Sequence, residues 1–305
     1  ASNNTALGYY ALVANTTGTE RTAVGVASSY GSDTESDNTV SVGYRAMYMN
    51  DATSADATDS VAIGHSAMLA DASTSASLIS NTAVGTDAIR IAANTTGAVS
   101  YNAAVGTQAM RFNANTTGTV QYNAALGYEA LEIDANTTGS VTNNVAVGHQ
   151  ALKSASNTTG NVQYNVAVGS KALDICIASS NTAVGNDALG ACTTGATNVA
   201  VGLNAGVDLT TGDNNTCLGP SAGNDLTEGD QNVFVGYNVK PGGATESYQI
   251  VISTDQDSGK GASTAFIAPN GGSVYQDNNS ADWATTSDER IKKNIEDNTT
   301  GLDVL

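Results

Sequence analysis

The sequence predicts an all-β protein: a parallel β-roll or β-solenoid of about 13 coils, followed by a small β-rich C-terminal tip. Three observations lead to this fold class. A five-residue phrase recurs along most of the chain, turn residues separate its copies, and no stretch shows helical periodicity. The phrase is Asn, a variable residue, a small residue, an aliphatic residue and Gly, as in NTAVG at 81–85 and NVAVG at 144–148.

The closing glycines of the phrases define the period. Their successive steps are 17, 18, six of 21, 16 and three of 17 residues. Glycine suits a backbone bend at the end of a strand, and Thr-Gly or Thr-Thr-Gly supplies a turn at the other end of each repeat. Each repeat is therefore expected to hold two short strands and two turns, with every strand pairing with its equivalent one coil along. The glycines are Gly8, Gly25, Gly43, Gly64, Gly85, Gly106, Gly127, Gly148, Gly169, Gly185, Gly202, Gly219 and Gly236.

The two repeat lengths predict a change in the width of the solenoid. The longer repeats carry two extra residues on each side of the Thr-Gly turn. Because side chains alternate along a strand with period two, a two-residue insertion leaves every side chain on its original face. We therefore expect a wide section between about Gly43 and Gly169, with narrower ends. The alternative is an unchanged core with longer surface loops.

The phrase also predicts which side chains face the core. Hydrophobicity places the aliphatic residue inside, so that the small residue before it, such as Ala62 or Ala104, points outward. An outer column of small residues would permit close approach by a copy of the chain in a closed cyclic oligomer.

Composition excludes two classes of partner. The chain has 305 residues, 11 Lys plus Arg and 29 Asp plus Glu, for a formal charge of −18. Such a chain is repelled by phosphate backbones, so we expect no nucleic-acid binding. No apolar run approaches the roughly 20 residues that cross a bilayer, so no membrane insertion is expected. The first residues lack the basic and apolar regions of a signal peptide.

The repeats resemble two kinds of protein. Residues 59–64, DSVAIG, with Ser66 and Ala67, are similar to the head repeat of trimeric autotransporter adhesins, the YadA-like left-handed parallel β-roll. The resemblance covers residues 4 to about 239, and the same phrasing also resembles repeats of phage tail fibres. It implies a left-handed roll and a homotrimer. The repeats alone do not choose between the two kinds of protein.

The C-terminal residues favour the phage protein. Residues 1–239 form the predicted shaft and residues 240–286 a β-rich tip or neck. Residues 283–295, WATTSDERIKKNI, closely resemble the opening of the intramolecular chaperone auto-processing domain of phage tail spikes, tail fibres and endosialidases. Residues 287–305 correspond to a truncated start of that domain.

That resemblance implies self-cleavage of the Thr286–Ser287 bond. Ser287 would be the nucleophile and Lys292 the general base, with burial in the assembled trimer lowering the pKa of the lysine. The alternative is a short amphipathic helix with Ser287 as its N-cap.

Histidines and cysteines give no metal or redox signal. His65 and His149 follow the phrase glycine, a slot that other repeats fill with Tyr, Thr or Ser. Three symmetry copies of one His could bind a metal on an axis, but an ordinary repeat position is the preferred interpretation. The spacing of Cys176, Cys192 and Cys217 matches neither a zinc site nor a redox pair, so free, buried thiols are expected.

Tyrosine and asparagine positions also follow the repeat. Tyr101, Tyr122 and Tyr164 each precede a phrase Asn, and the first two are expected to stack as a ladder. Packing between repeats is the preferred role of this ladder, with sugar binding as the alternative. Five Asn-Thr-Thr sequences match the glycosylation pattern but are interpreted as turns. Their asparagines are Asn15, Asn94, Asn115, Asn136 and Asn157.

These observations predict a structural virion protein, a trimeric tail fibre for host attachment located on the extracellular virion tail. Its expected partners are two further copies of itself, other virion tail proteins and a host cell-surface glycan or protein. No cofactor or metal is expected, nor any enzyme activity beyond single-turnover self-cleavage. The alternative is the head of a bacterial trimeric surface adhesin. A depolymerase tail spike would need a carboxylate pair in a groove, which the sequence does not show.

Overall fold

The computed structural model describes residues 1–31, 36–49, 57–71, 77–91, 95–112, 117–133, 138–154, 160–269, 272–276 and 283–285. Within these ranges the chain forms 25 short strands and no helix, which confirms the all-β prediction. The strands are β1 (Thr5–Leu7), β2 (Thr22–Val24), β3 (Val40–Val42), β4 (Met47–Met49), β5 (Val61–Ile63), β6 (Met68–Ala70), β7 (Thr82–Val84), β8 (Ile89–Ile91), β9 (Val99–Ser100), β10 (Ala103–Val105), β11 (Met110–Phe112), β12 (Val120–Gln121), β13 (Ala124–Leu126), β14 (Val141–Thr142), β15 (Val145–Val147), β16 (Val162–Gln163), β17 (Val166–Val168), β18 (Thr182–Val184), β19 (Val199–Val201), β20 (Thr216–Leu218), β21 (Val233–Val235), β22 (Ile250–Ser253), β23 (Ala265–Ala268), β24 (Val274–Gln276) and β25 (Trp283–Thr285).

The largest sheet stacks the phrases of successive coils. Its parallel part runs in the order β1, β2, β3, β5, β7, β10, β13, β15, β17, β18, β19, β20, β21, β22 and β23. Equivalent residues pair throughout, as in Ala104 with Ala125 and Ala125 with Ala146. The fold is therefore a β-solenoid of stacked parallel coils, as predicted from the period.

The large sheet continues past the last phrase. Strands β22 and β23 extend the parallel ladder, and β24 and β25 then add to its end in antiparallel orientation. The sheet thus crosses the position between residues 239 and 240 without interruption.

Two smaller parallel sheets occur only in the section with 21-residue repeats. One contains β4, β6, β8 and β11, and the other contains β9, β12, β14 and β16. The valines of the second sheet are buried, with Val99, Val120 and Val141 at 0% exposure. These residues add buried side chains to the core of the section for which widening is predicted.

The predicted assignment of inner and outer faces is wrong. From β2 onward the middle residue of each phrase strand is buried, including Ala62 and Ala104 at 0%, whereas the aliphatic third residue faces outward. The physical reason is the small width of the coil. In the coil whose inner residue is the large Phe234, the residue that faces it is Gly223. A Cβ added to Gly223 would lie 3.2 Å from the Phe234 ring. Opposite walls this close accept small side chains, and larger ones only beside glycine.

A column of buried phrase asparagines joins the coils. Asn144 donates from its backbone N and from Nδ2 to Asn123 Oδ1 at 3.0 Å in both cases, and from Nδ2 to the Val162 carbonyl at 2.8 Å. Asn165 makes the equivalent bonds to Asn144 Oδ1. Each amide therefore satisfies polar groups on neighbouring coils inside the core. The asparagine column comprises Asn81, Asn102, Asn123, Asn144, Asn165, Asn181, Asn198, Asn215 and Asn232.

Candidate functional site

The principal candidate site is the outer surface of the large sheet. We call it the outward face and define it as the first and third residues of the phrase strands, together with Ile250, Ile252 and Ile267 of β22 and β23. Only Ala, Thr, Val, Leu and Ile occupy these positions. Leu126 is 51% exposed and Val105 40%. The face therefore carries no charge, is largely apolar, and is at least partly open to solvent in the single chain.

The outward face is long and continuous because the strands are stacked in register. Neighbouring strands lie about 4.8 Å apart, so the parallel ladder extends about 65 Å and its two outward columns cover roughly 500–700 Å². Near its C-terminal end, Val235, Ile252, Ile267 and Pro269 line an apolar hollow of about 300 Å³. Monomeric proteins rarely expose contiguous apolar patches above a few hundred Å², so this face has the character of an interface.

Tyrosines flank the phrases and stack between coils. The Tyr101 and Tyr122 rings are parallel within 5° at a centroid separation of 5.2 Å, which confirms the predicted ladder. Tyr44 stacks on His65 in the same way. His149 likewise lies on Tyr128, so both histidines occupy the repeat position that the sequence indicated. Such stacking supports packing between repeats.

Arg111, Glu129, Glu132 and Lys153 form an ion cluster on the wide section. Lys153 Nζ lies 2.6 Å from Glu129 Oε2 and 3.0 Å from Glu132 Oε2, and Arg111 pairs with Glu132 at 3.3 Å. The Glu132 side chain is only 2% exposed. Burial acts to raise the pKa of Glu129, but hydrogen bonds from Gln150 and Lys153 outweigh it and lower the pKa to about 2. Every charge of the cluster has a partner of opposite sign, so we assign it a structural role.

Lys153→Met should lower the free energy of unfolding by about 2 kcal/mol at pH 7, because Glu132 stays buried without its lysine. The depressed pKa of Glu129 stabilises the wild type fully above its unfolded value of about 4.3, and this contribution is lost as the pH falls towards 2. Urea titrations at several pH values between 7 and 2 measure the free energy of unfolding of the wild type and of Lys153→Met. The difference between the two proteins should therefore decrease as the pH falls.

Lys240→Met provides the matched control for this variant. Lys240 pairs with Asp225 at 2.6 Å, but their side chains are 33% and 57% exposed. An exposed pair contributes at most about 1 kcal/mol. Equal losses in the two variants would contradict the role assigned to the buried cluster.

The other predicted site residues are placed as follows. Cys176, Cys192 and Cys217 are free and buried, as predicted, but the Sγ atoms of Cys176 and Cys192 lie only 3.2 Å apart. The spacing patterns considered in the sequence did not reveal this pair. Asn15 donates to the Gly18 carbonyl within its turn. Thr286, Ser287 and Lys292 lie outside the described residues, as do Asn94, Asn115, Asn136 and Asn157.

No cluster of three or more His, Cys, Asp or Glu residues suited to a metal ion occurs in the described part of the chain. Among the same residues there is no helix long and apolar enough to span a membrane. Fold and surface together define a β-solenoid with an exposed apolar sheet face. In comparisons with known proteins, the chain matches no protein family, no curated protein and no solved structure.

Proposed function

We propose that the chain is a structural fibre protein, a left-handed β-roll that assembles into a homotrimer along its outward face and serves as a rigid shaft for host attachment on a virion tail. The observation that carries this proposal is the uncovered apolar face itself. Because each coil contacts only its neighbours, stacked coils form an extended rod, which is the shape a spacer needs.

Charge and area favour another copy of the chain as the occupant of this face. The chain has 29 acidic residues, yet none lies at the outward positions of β1 to β23. Copies can therefore approach through this face without placing carboxylates against one another. In a trimer the roughly 500–700 Å² of the two columns is shared between two neighbours, so the tyrosines beside the phrases must add contact area to reach the ~800 Å² per partner of a standard stable interface. A closed cyclic oligomer covers the outward face in every copy. We propose three copies because the repeats resemble those of trimeric adhesins.

Changing both Val199 and Val201 to lysine should convert the trimer to monomer. These residues, at 37% and 39% exposure, are the outward pair of β19, and three copies would bring six ammonium groups together in an apolar interface. Light scattering coupled to size-exclusion chromatography measures the mass. Ile175→Lys is the control, since Ile175 is 38% exposed but lies outside the large sheet, and it should leave the trimer intact. A trimeric double variant, or a monomeric wild type, would refute this assembly.

Self-cleavage at Thr286–Ser287 belongs to the same proposal and is supported by the chaperone resemblance alone. The Ser287 hydroxyl oxygen attacks the Thr286 carbonyl carbon while Lys292 accepts its proton. Lys292 then returns the proton to the Ser287 nitrogen as the amide bond breaks, and water hydrolyses the resulting ester to release a chain that ends at Thr286. The intact mass of the expressed full-length gene product tests this step. A fragment ending at Thr286 is expected from the wild type and should be absent from Ser287→Ala. Cleavage that persists in this variant would remove Ser287 from the mechanism.

A further inference from the structure

We propose that Cys176 and Cys192 form a disulfide that covalently joins two neighbouring coils when the protein folds under oxidising conditions. The two sulfur atoms are 3.2 Å apart and both residues are fully buried. This modification is independent of the proposed fibre function.

The backbone holds the two cysteines in equivalent positions of adjacent coils. On one side of the pair, Leu173 N donates to the Ala188 carbonyl at 3.1 Å, and on the other, Ile177 N donates to the Thr193 carbonyl at 2.9 Å. Stacked strands are about 4.8 Å apart, which falls within the 4.4–6.8 Å between Cα atoms that a disulfide accepts. The bond can therefore form without a change in register.

The surroundings of the pair suit a disulfide. Further along the stack the same turn position is taken by the buried side chains Leu209 and Leu226, so the column is apolar. A disulfide carries no charge and no obligatory donor, and it can occupy such a column without leaving a polar group unpaired.

Cys217 is expected to remain a thiol. It occupies the inner position of β20, against Gly206 and Gly223, rather than the turn column that holds the other two cysteines. Its sulfur therefore has no cysteine beside it in the neighbouring coils, and burial raises its pKa to about 12. Three thiols should therefore give one specific disulfide and one free cysteine.

Oxidised glutathione is a sufficient oxidant. The Cys176 thiolate attacks one sulfur of glutathione disulfide, forming a mixed disulfide and releasing one glutathione thiolate. The Cys192 thiolate then attacks the Cys176 sulfur, forming the protein disulfide and releasing the second glutathione. Two protein thiols are oxidised, and the two electrons and two protons they lose produce two molecules of glutathione. Because both sulfurs are buried in the finished coil, the exchange takes place while the coils assemble.

The test is to refold the chain with reduced and oxidised glutathione, block free thiols with iodoacetamide in denaturant, and digest with a protease that cleaves before Asp. This protease separates the three cysteines into residues 174–186, 187–207 and 213–224. The first two peptides should be found linked and the third alkylated, with a higher melting temperature than after refolding in a reductant. Alkylation of all three cysteines, a persistent glutathione adduct, or a link to 213–224 would overturn the proposal.

Two variants serve as matched controls for this experiment. Cys217→Ala should retain the link between 174–186 and 187–207, whereas Cys192→Ala should lose it and lose the dependence of the melting temperature on oxidant. Circular dichroism verifies that both variants keep the β structure. An oxidant-dependent melting temperature that survives in Cys192→Ala would contradict the assignment. The oligomeric state is measured separately, so failure of the trimer and failure of the disulfide are distinguishable.

Discussion

Replacing Gly127 with alanine is expected to lower the free energy of unfolding by about 3 kcal/mol or more. Gly127 closes its phrase with φ +141°, a left-handed conformation that residues with a Cβ rarely adopt. An added Cβ would also collide with the carbonyl oxygen of Gly148 on the next coil. That oxygen belongs to the stacked backbone and cannot move without shifting the whole coil, so strain and steric overlap add together.

Gly160→Ala is the matched control for Gly127→Ala. Gly160 has no left-handed φ, and no heavy atom of the described residues lies within 4 Å of an added Cβ. Its replacement should change stability by no more than about 0.5 kcal/mol. Urea unfolding at equal protein concentration measures both effects, because association contributes to apparent stability. Equal stabilities of the two variants would show that the stacked glycines do not require their conformation.

Asn144→Asp is expected to destabilise the protein by about 3 kcal/mol at pH 7, although the two side chains have nearly the same shape. Asn144 is fully buried and donates from Nδ2 to Asn123 Oδ1 and to the Val162 carbonyl. In the variant, a carboxylate oxygen, which can only accept hydrogen bonds, would face Asn123 Oδ1 and the Val162 carbonyl oxygen, which are also acceptors. Both hydrogen bonds would be lost. The neighbouring Asn143→Asp is the control, since Asn143 is exposed and its φ of +58° is tolerated by Asp.

The pH dependence of Asn144→Asp distinguishes charge from shape. Burial and facing acceptors should raise the pKa of the new carboxyl above its unfolded value of about 3.9, so the folded state binds more protons. The loss relative to Asn143→Asp should therefore be largest at neutral pH and shrink as the pH falls towards 4. A loss that is constant between pH 7 and pH 4 would indicate a packing defect.

The adjacent thiols of Cys176 and Cys192 show how much of a site can be read from a repeat. Cys176 and Cys192 are 16 residues apart, which equals the step between Gly169 and Gly185 in the same part of the chain. Residues separated by one local period lie side by side in adjacent coils, so the signal was present in the spacing. General disulfide and zinc patterns could not detect it, because the relevant spacing is set by this solenoid alone.

The ion cluster was harder to predict. Arg111, Glu132 and Lys153 occupy equivalent positions of three coils, with steps of 21 residues. The repeat therefore places them in one column. Glu129 lies outside this column and joins the cluster through its ion pair with Lys153 in the next coil. The burial of the Glu132 side chain depends on how the wide section packs, which the repeat spacing does not give.

The amino-acid sequence by itself determined the length of each coil, the phrase-on-phrase register, the bends at glycine and the section with the longer repeats. All of these follow from period and local backbone chemistry. Only the tertiary structure decided which side of the phrase strands is the inside. Alternation defines two faces without labelling them, and hydrophobicity alone favours placing Val105 inside over Ala104. The distance between opposite walls, which depends on residues far along the coil, admits the alanine and leaves the valine outside.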